Sequence, residues 1–181
     1  MNVFWENKED IGAELLTIDY QKATIVSESL VLLAKTGASY KRSYLLVLGK
    51  DWCTRKVEVY DQENNENICL HSNRVGNWFQ GDSHLKQLDG AIDVDISITP
   101  FSNSLPINRL KWVKDQTRTL EMVYINALSF EVEKIEQQYT YLGEFSEGRK
   151  FQYRCRDYNT VITVDDHGLV LQYPGVFNRK L

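Results

Sequence analysis

Apolar and polar residues alternate with a period of two along most of this chain. From Trp52 to Tyr60, Cys53, Arg55, Val57 and Val59 fall on one side and Trp52, Thr54, Lys56, Glu58 and Tyr60 on the other. That is the pattern of a strand with one buried face. Comparable β-rich runs predict strands over residues 2–6, 13–19, 23–33, 38–48, 68–73, 117–128, 130–142, 151–155, 159–164 and 169–173. The run from Ser27 to Lys35 could also coil. The β-branched start Ala23-Thr24-Ile25-Val26 and the turn signal Thr36-Gly37 favour a strand there. Val75 to Phe79 reads as a turn carrying two aromatics. One strand per eight to fifteen residues, separated by polar turns, is the signature of an all-β protein. The chain has 181 residues and no internal repeat, low-complexity tract or linker, so residues 1–181 form a single domain.

The stretch from Leu88 to Trp112 departs from this monotony. Its first half alternates, with Asp93, Asp95, Ser97 and Thr99 on one side and Ile92, Val94, Ile96 and Ile98 on the other. Acidic residues are poor strand formers, so two on one face ask for a reason. Pro100 ends the ladder because it has no N–H to donate. Phe101 to Leu110 then mixes apolar residues, amides and Arg109 in a segment that reads as irregular or helical, as does a turn near Ser83–Gln87. A strand with an acidic face that feeds an amphipathic segment makes this stretch the candidate site.

Composition narrows the possible functions. A hydrophobic content of 43% with 12% aromatic residues argues against disorder. A net charge of -4 with scattered Lys and Arg leaves no basic footprint for nucleic acid. No apolar run approaches the roughly 18 residues of a membrane span. The first residues lack the basic start and apolar core of a signal peptide, which for a native start predicts a cytoplasmic protein. Cys53, Cys69 and Cys155 are too widely spaced for a zinc site and read as small strand residues in a reducing compartment. His71, His84 and His167 are isolated, and neither a Gly-x-Ser-x-Gly elbow nor a phosphate-binding glycine loop is present. No catalytic residue, metal site or cofactor is indicated, and nothing speaks to oligomeric state. The apolar tail with Leu169, Leu171, Tyr173 and Phe177 is expected to dock into the body.

Several blocks taken in order resemble a bacterial family known as putative glycolipid-binding proteins. They are Asp51-Trp52 with Thr54-Arg55, Gly76 with Trp78, Leu88-Asp89-Gly90 with Asp93-Val94-Asp95, and Thr99 through Ile107 with Arg109. Gln138-Tyr139-Thr140 and Asp165 through Phe177 complete the set. The resemblance spans nearly the whole chain and is weak over its first 40 residues. This chain has Asn108 where the family pattern more usually has Arg. The resemblance implies a fold similar to lipoprotein localisation carriers: one curved antiparallel sheet of about ten or eleven strands, wrapped as a half-barrel around one or two short helical segments. It also implies that a glycolipid or other amphiphile is held in the concavity, and it carries over no catalytic residues.

Arg55, Asp89, Asp93, Asp95, Asn103 and Arg109 could then grip a polar headgroup, with Trp78, Phe101 and Trp112 against its apolar part. The same carboxylates and Arg109 could equally be an internal fastening, since unpaired buried polar groups cost about 1–3 kcal/mol each. Two alternatives stay open. One is an enzyme acting on a small polar substrate through Asp93, Asp95 and Arg109; the other is an interaction scaffold whose concavity is wholly plugged.

Overall fold

A computed structural model describes residues 1–35 and 37–181; Thr36, half of the expected Thr36-Gly37 turn, lies outside the described residues. The first strands are β1 (Asn2–Asn7), β2 (Ile11–Tyr20), β3 (Thr24–Lys35), β4 (Ala38–Gly49), β5 (Thr54–Asp61) and β6 (Asn67–Ser72). Two short ones, β7 (Trp78–Gln80) and β8 (Ser83–His84), and a 3-10 turn (Lys86–Leu88) lead into β9 (Asp93–Ile96). A 3-10 turn (Pro100–Asn103) and one helix, α1 (Ser104–Arg109), follow. The chain closes with β10 (Thr117–Ile125), β11 (Val132–Phe145), β12 (Gly148–Cys155), β13 (Tyr158–Val164), β14 (Val170–Tyr173) and β15 (Phe177–Arg179).

All fifteen strands belong to one open, curled sheet in the order β8-β7-β6-β5-β4-β3-β2-β1-β15-β14-β13-β12-β11-β10-β9. The count exceeds the ten or eleven expected because β7, β8 and β15 are three residues or fewer, too short to show a period of two. Every neighbouring pair in the sheet is antiparallel except β9 and β10, which run parallel. The long crossover from Ser97 to Gln116 allows that direction, since parallel neighbours need a connection of about a dozen residues or more.

Alternation builds the concave face. Leu16 and Ile18 on β2, Ile25, Val31 and Leu33 on β3, and Leu46 and Leu48 on β4 all point inward and are buried. Their neighbours Leu15, Leu30 and Leu32 stay exposed on the outer face. Register shifts at Val47/Leu48, Tyr141/Gly143 and Thr163/Val164 interrupt the ladders, and such irregularities bend strands and increase twist. The crossover folds into the concavity as a plug, burying Phe101, Leu105 and Ile107. Phe101 and Leu105 join the larger core with β1 to β7, while Ile107 packs with Tyr139, Phe151, Ile162 and Val164. Entry to this stretch depends on two glycines with positive φ. Gly90 N–H donates to the Gly76 carbonyl at 2.9 Å, and a Cβ on Gly76 would sit 3.2 Å from the Gly90 backbone.

The apolar tail docks as expected, and it does so as strands. β14 and β15 bridge β13 to β1, joining the C-terminal half of the sheet to its N-terminal half. The indole N–H of Trp5, itself fully buried, donates to the Val170 carbonyl at 2.7 Å. Truncation after Asp166 is therefore expected to abolish the cooperative thermal transition of the intact chain. Unchanged melting of the 1–166 fragment would contradict this role.

Candidate functional site

The two acids of β9 have different fates. Asp93 is fully buried and receives Arg109, the last residue of α1, side-on: Nε at 2.9 and 3.1 Å and Nη2 at 2.6 Å. Burial pushes the Asp93 carboxyl above its ordinary range, against the pull of the guanidinium. This pair ties the end of the plug to the edge of the sheet. Around it, Phe101 is fully buried beside Trp52, and Trp78 is fully buried with its indole N–H on the Ala91 carbonyl at 2.7 Å. Trp112 is half-buried, bonds the Ile107 carbonyl at 3.1 Å and stacks edge-on with Phe151. Asp89 faces His84 at 2.8 Å near the surface. Arg55 is half-buried on β5, with its Nε unbonded. Asn108 donates from Nδ2 to the Ser104 and His167 carbonyls, pinning α1 to the hairpin before β14.

Asp95 lies at the head of a different arrangement. Its Oδ2 accepts a 2.6 Å hydrogen bond from Gln137, whose own Oε1 lies 3.1 Å from the Tyr139 hydroxyl, which in turn reaches Asn103 in the plug at 2.9 Å. No cation is among these partners. Desolvation pushes the Asp95 carboxyl up to about 6, opposed by hydrogen bonds from Gln137 and Ser102. Beyond it opens a cleft formed by two adjoining cavities of about 210 Å³ each, which share Asp95, Tyr124, Tyr153, Tyr158 and Tyr173. Asn103, Val176 and Phe177 extend one and Ile135 and Arg156 the other. Of the nine residues singled out in the sequence, only Asp95 and Asn103 line this cleft; Asp93 and Arg109 meet each other. A larger depression of about 470 Å³ over the outer face of β2 to β5 is a saddle in exposed strand surface. Its Glu58 is already paired with Lys56 at 2.8 Å.

The family profile described as "Putative glycolipid-binding" matches residues 2–179. The chain belongs to this family. Among curated proteins, none matches. Among solved structures, the crystal structure of a DUF1089 family protein from Pseudomonas aeruginosa is similar, at 28% identity over 92% of each chain with a TM-score of 0.78. The curled sheet described above is thus shared with a solved structure. In this member, no helix among the described residues is long and apolar enough to cross a membrane.

Two features of the interior escaped the sequence. The tyrosines of the cleft come from β10, β12, β13 and β14, each in an ordinary strand context, and no local signal unites them. Glu14 lies on the inner face of β2, in a strand whose other inward positions are apolar. It is fully buried, and its Oε1 accepts from Ser29 at 2.8 Å, Tyr44 at 2.6 Å and Thr99 at 2.9 Å, while Oε2 has no partner. Thr99 also caps the first turn of the plug by accepting from Phe101 N–H at 3.0 Å. One carboxyl therefore joins three strands to the plug. Desolvation drives its pKa from 4.5 to about 7, although the three hydroxyl donors oppose the shift.

Arg109→Ala would strand the Asp93 carboxylate in the core. It should lower unfolding stability in urea by about 3 kcal/mol or more, the cost of breaking a buried pair. Asp93→Asn with Arg109→Met should recover part of that loss. The pH dependence follows from Glu14, which holds a proton in the fold that the unfolded chain releases between pH 4.5 and about 7. Its stability contribution is fully present below that window and is lost as pH rises through about 7, by on the order of 3 kcal/mol. Asp95, raised from 3.8 to about 6, adds a loss of the same sign. Glu14→Gln should flatten the fall in urea stability between about pH 5 and about pH 8; an unchanged slope would assign it elsewhere.

Proposed function

We propose that this protein is a non-catalytic binding protein for an amphiphile, a glycolipid by the family's name, whose polar end seats in the Asp95–tyrosine cleft. The observation that carries this reading is the cleft itself. The plug buries Phe101, Leu105 and Ile107 against the sheet, and the cleft beside it combines aromatic side chains, the carboxylates of Asp95 and Glu9 and the amide of Asn103. Such a mixture of apolar walls with a few convergent polar groups marks small-molecule sites. Each cavity falls below the roughly 300 Å³ at which pockets begin to enclose whole ligands, so the cleft suits a headgroup. The walls formed by Val176, Phe177 and Ile135 would meet the first part of an apolar chain. A carrier-like half-barrel with its interior occupied by its own plug, in a cytoplasmic setting, fits the three unpaired cysteines.

The enzyme reading through Asp93, Asp95 and Arg109 is less well supported, because Arg109 is consumed by Asp93 while Asp95 bonds Gln137 instead. Native mass spectrometry of protein purified without detergent should show an adduct that solvent extraction removes. An apolar dye should be displaced by the extracted material. A protein that is empty and takes up no dye would overturn the proposal.

A further inference from the structure

Among the described residues, the charges that line the cleft do not balance. Asp95 and Glu9 are acidic, and the one basic group, Arg156 on the rim, is paired with Glu133 at 2.5 Å. Arg156 also lies over the Tyr124 ring at 6.0 Å, so that ring already has a cation. No cation of the described residues lies over Tyr153, Tyr158 or Tyr173. These three form a triangle, with centroids 6.5 Å (Tyr153–Tyr158), 6.0 Å (Tyr153–Tyr173) and 5.9 Å (Tyr158–Tyr173) apart. Their planes are tilted 57°, 73° and 49° to one another, so they do not form a flat stack, and all three line the cleft. A cation resting over the triangle would fall within the roughly 6 Å reach of a ring face.

The contrast between the two acids of β9 is the second observation. Asp93 has its counter-ion built in as Arg109, whereas Asp95 has the neutral donor Gln137 and faces the open cleft. A carboxylate beside several electron-rich rings is the arrangement that recognises organic ammonium groups. A phosphate, sulfate or carboxylate head would instead meet Asp95 and Glu9.

We infer that the cleft selects a positively charged headgroup, a protonated amine or quaternary ammonium, held by Asp95 and the faces of Tyr153, Tyr158 and Tyr173. This rests on the cleft being the binding site, and it adds the sign of the ligand's charge. An amino sugar on a lipid and a free alkylammonium share that chemistry.

The test compares decyltrimethylammonium with decyl maltoside, two probes with the same chain, below their micelle-forming concentrations, by calorimetry on the full chain; tetramethylammonium is the tail-free arm. The ammonium amphiphile should bind about tenfold or more tighter than the maltoside, as an ion pair joined to cation–π contact predicts. Asp95→Asn should abolish the preference. Tyr158→Ala should reduce it without threatening the fold, since Tyr158 is 41% exposed. Competition by tetramethylammonium would place the recognition in the headgroup alone, and its failure to compete would make the tail necessary; the charge preference holds in both cases. Equal or tighter maltoside binding, or a preference that survives both substitutions, would overturn the inference while leaving the amphiphile reading in place. If neither amphiphile binds, both fail.

Discussion

A curled sheet has a concave face that must be covered, and everything distinctive in this chain follows from how it is covered. The inner face of β2 to β5 is largely apolar, with a few buried polar groups, and water cannot be left against it without losing the burial that stabilises the fold. The cover is a single crossover between β9 and β10, too short to make a layer of its own and only partly helical. Irregular backbone inside a core brings polar groups with it, and each needs a partner. The structure supplies them one by one: Asp93 for Arg109, Glu14 for Thr99, Tyr139 for Asn103 and the His167 carbonyl for Asn108.

These fastenings come from opposite halves of the sheet. Glu14, Ser29 and Tyr44 belong to β2, β3 and β4, and Tyr139 and Gln137 to β11. The plug is thereby held on both flanks, and the two core clusters meet across it. At the mouth, Arg42 on β4 pairs with Asp61 at 2.8 Å and donates to the Ala127 carbonyl at 2.9 Å, linking the N-terminal strands to the turn after β10. Buried ion pairs of this kind contribute little net stability against a well-packed apolar alternative. Their value here is positional: they fix where an irregular segment lies. Asp95 completes the same network through Gln137 and Tyr139, so the floor of the cleft is continuous with the fastening. Function, on the proposed reading, uses the open side of a structural device.

The fold class was legible because period-two alternation is a local property, and long strands such as β3, β4 and β11 repeat it often enough to be read. The shortest strands were not legible: β7 was expected as a turn, since Trp78 and Phe79 beside Gly76 carry no alternation. The acidic face of β9 was legible as an anomaly, and Asp93 and Arg109 as members of one feature. Their pairing with each other was one of two open readings, because spacing along a chain does not say which partner a carboxylate meets. Glu14 was invisible for the same reason. A single glutamate in a strand that also carries Thr17 and Asp19 looks solvated until the plug is laid over it.

The sequence by itself determined the mainly β fold class and the stretch where regular structure breaks, and the order of its blocks pointed to the family. Local periodicity and the chemistry of proline are written residue by residue, so the first two need nothing else. Tertiary structure alone decided that Asp93 is spent on Arg109 while Asp95 is left facing a cleft, and that Tyr124, Tyr153, Tyr158 and Tyr173 share one wall. Those facts depend on strands from β9 to β14 curling around a common axis. Curvature sums small twists over many strands, and no short segment of the chain contains it.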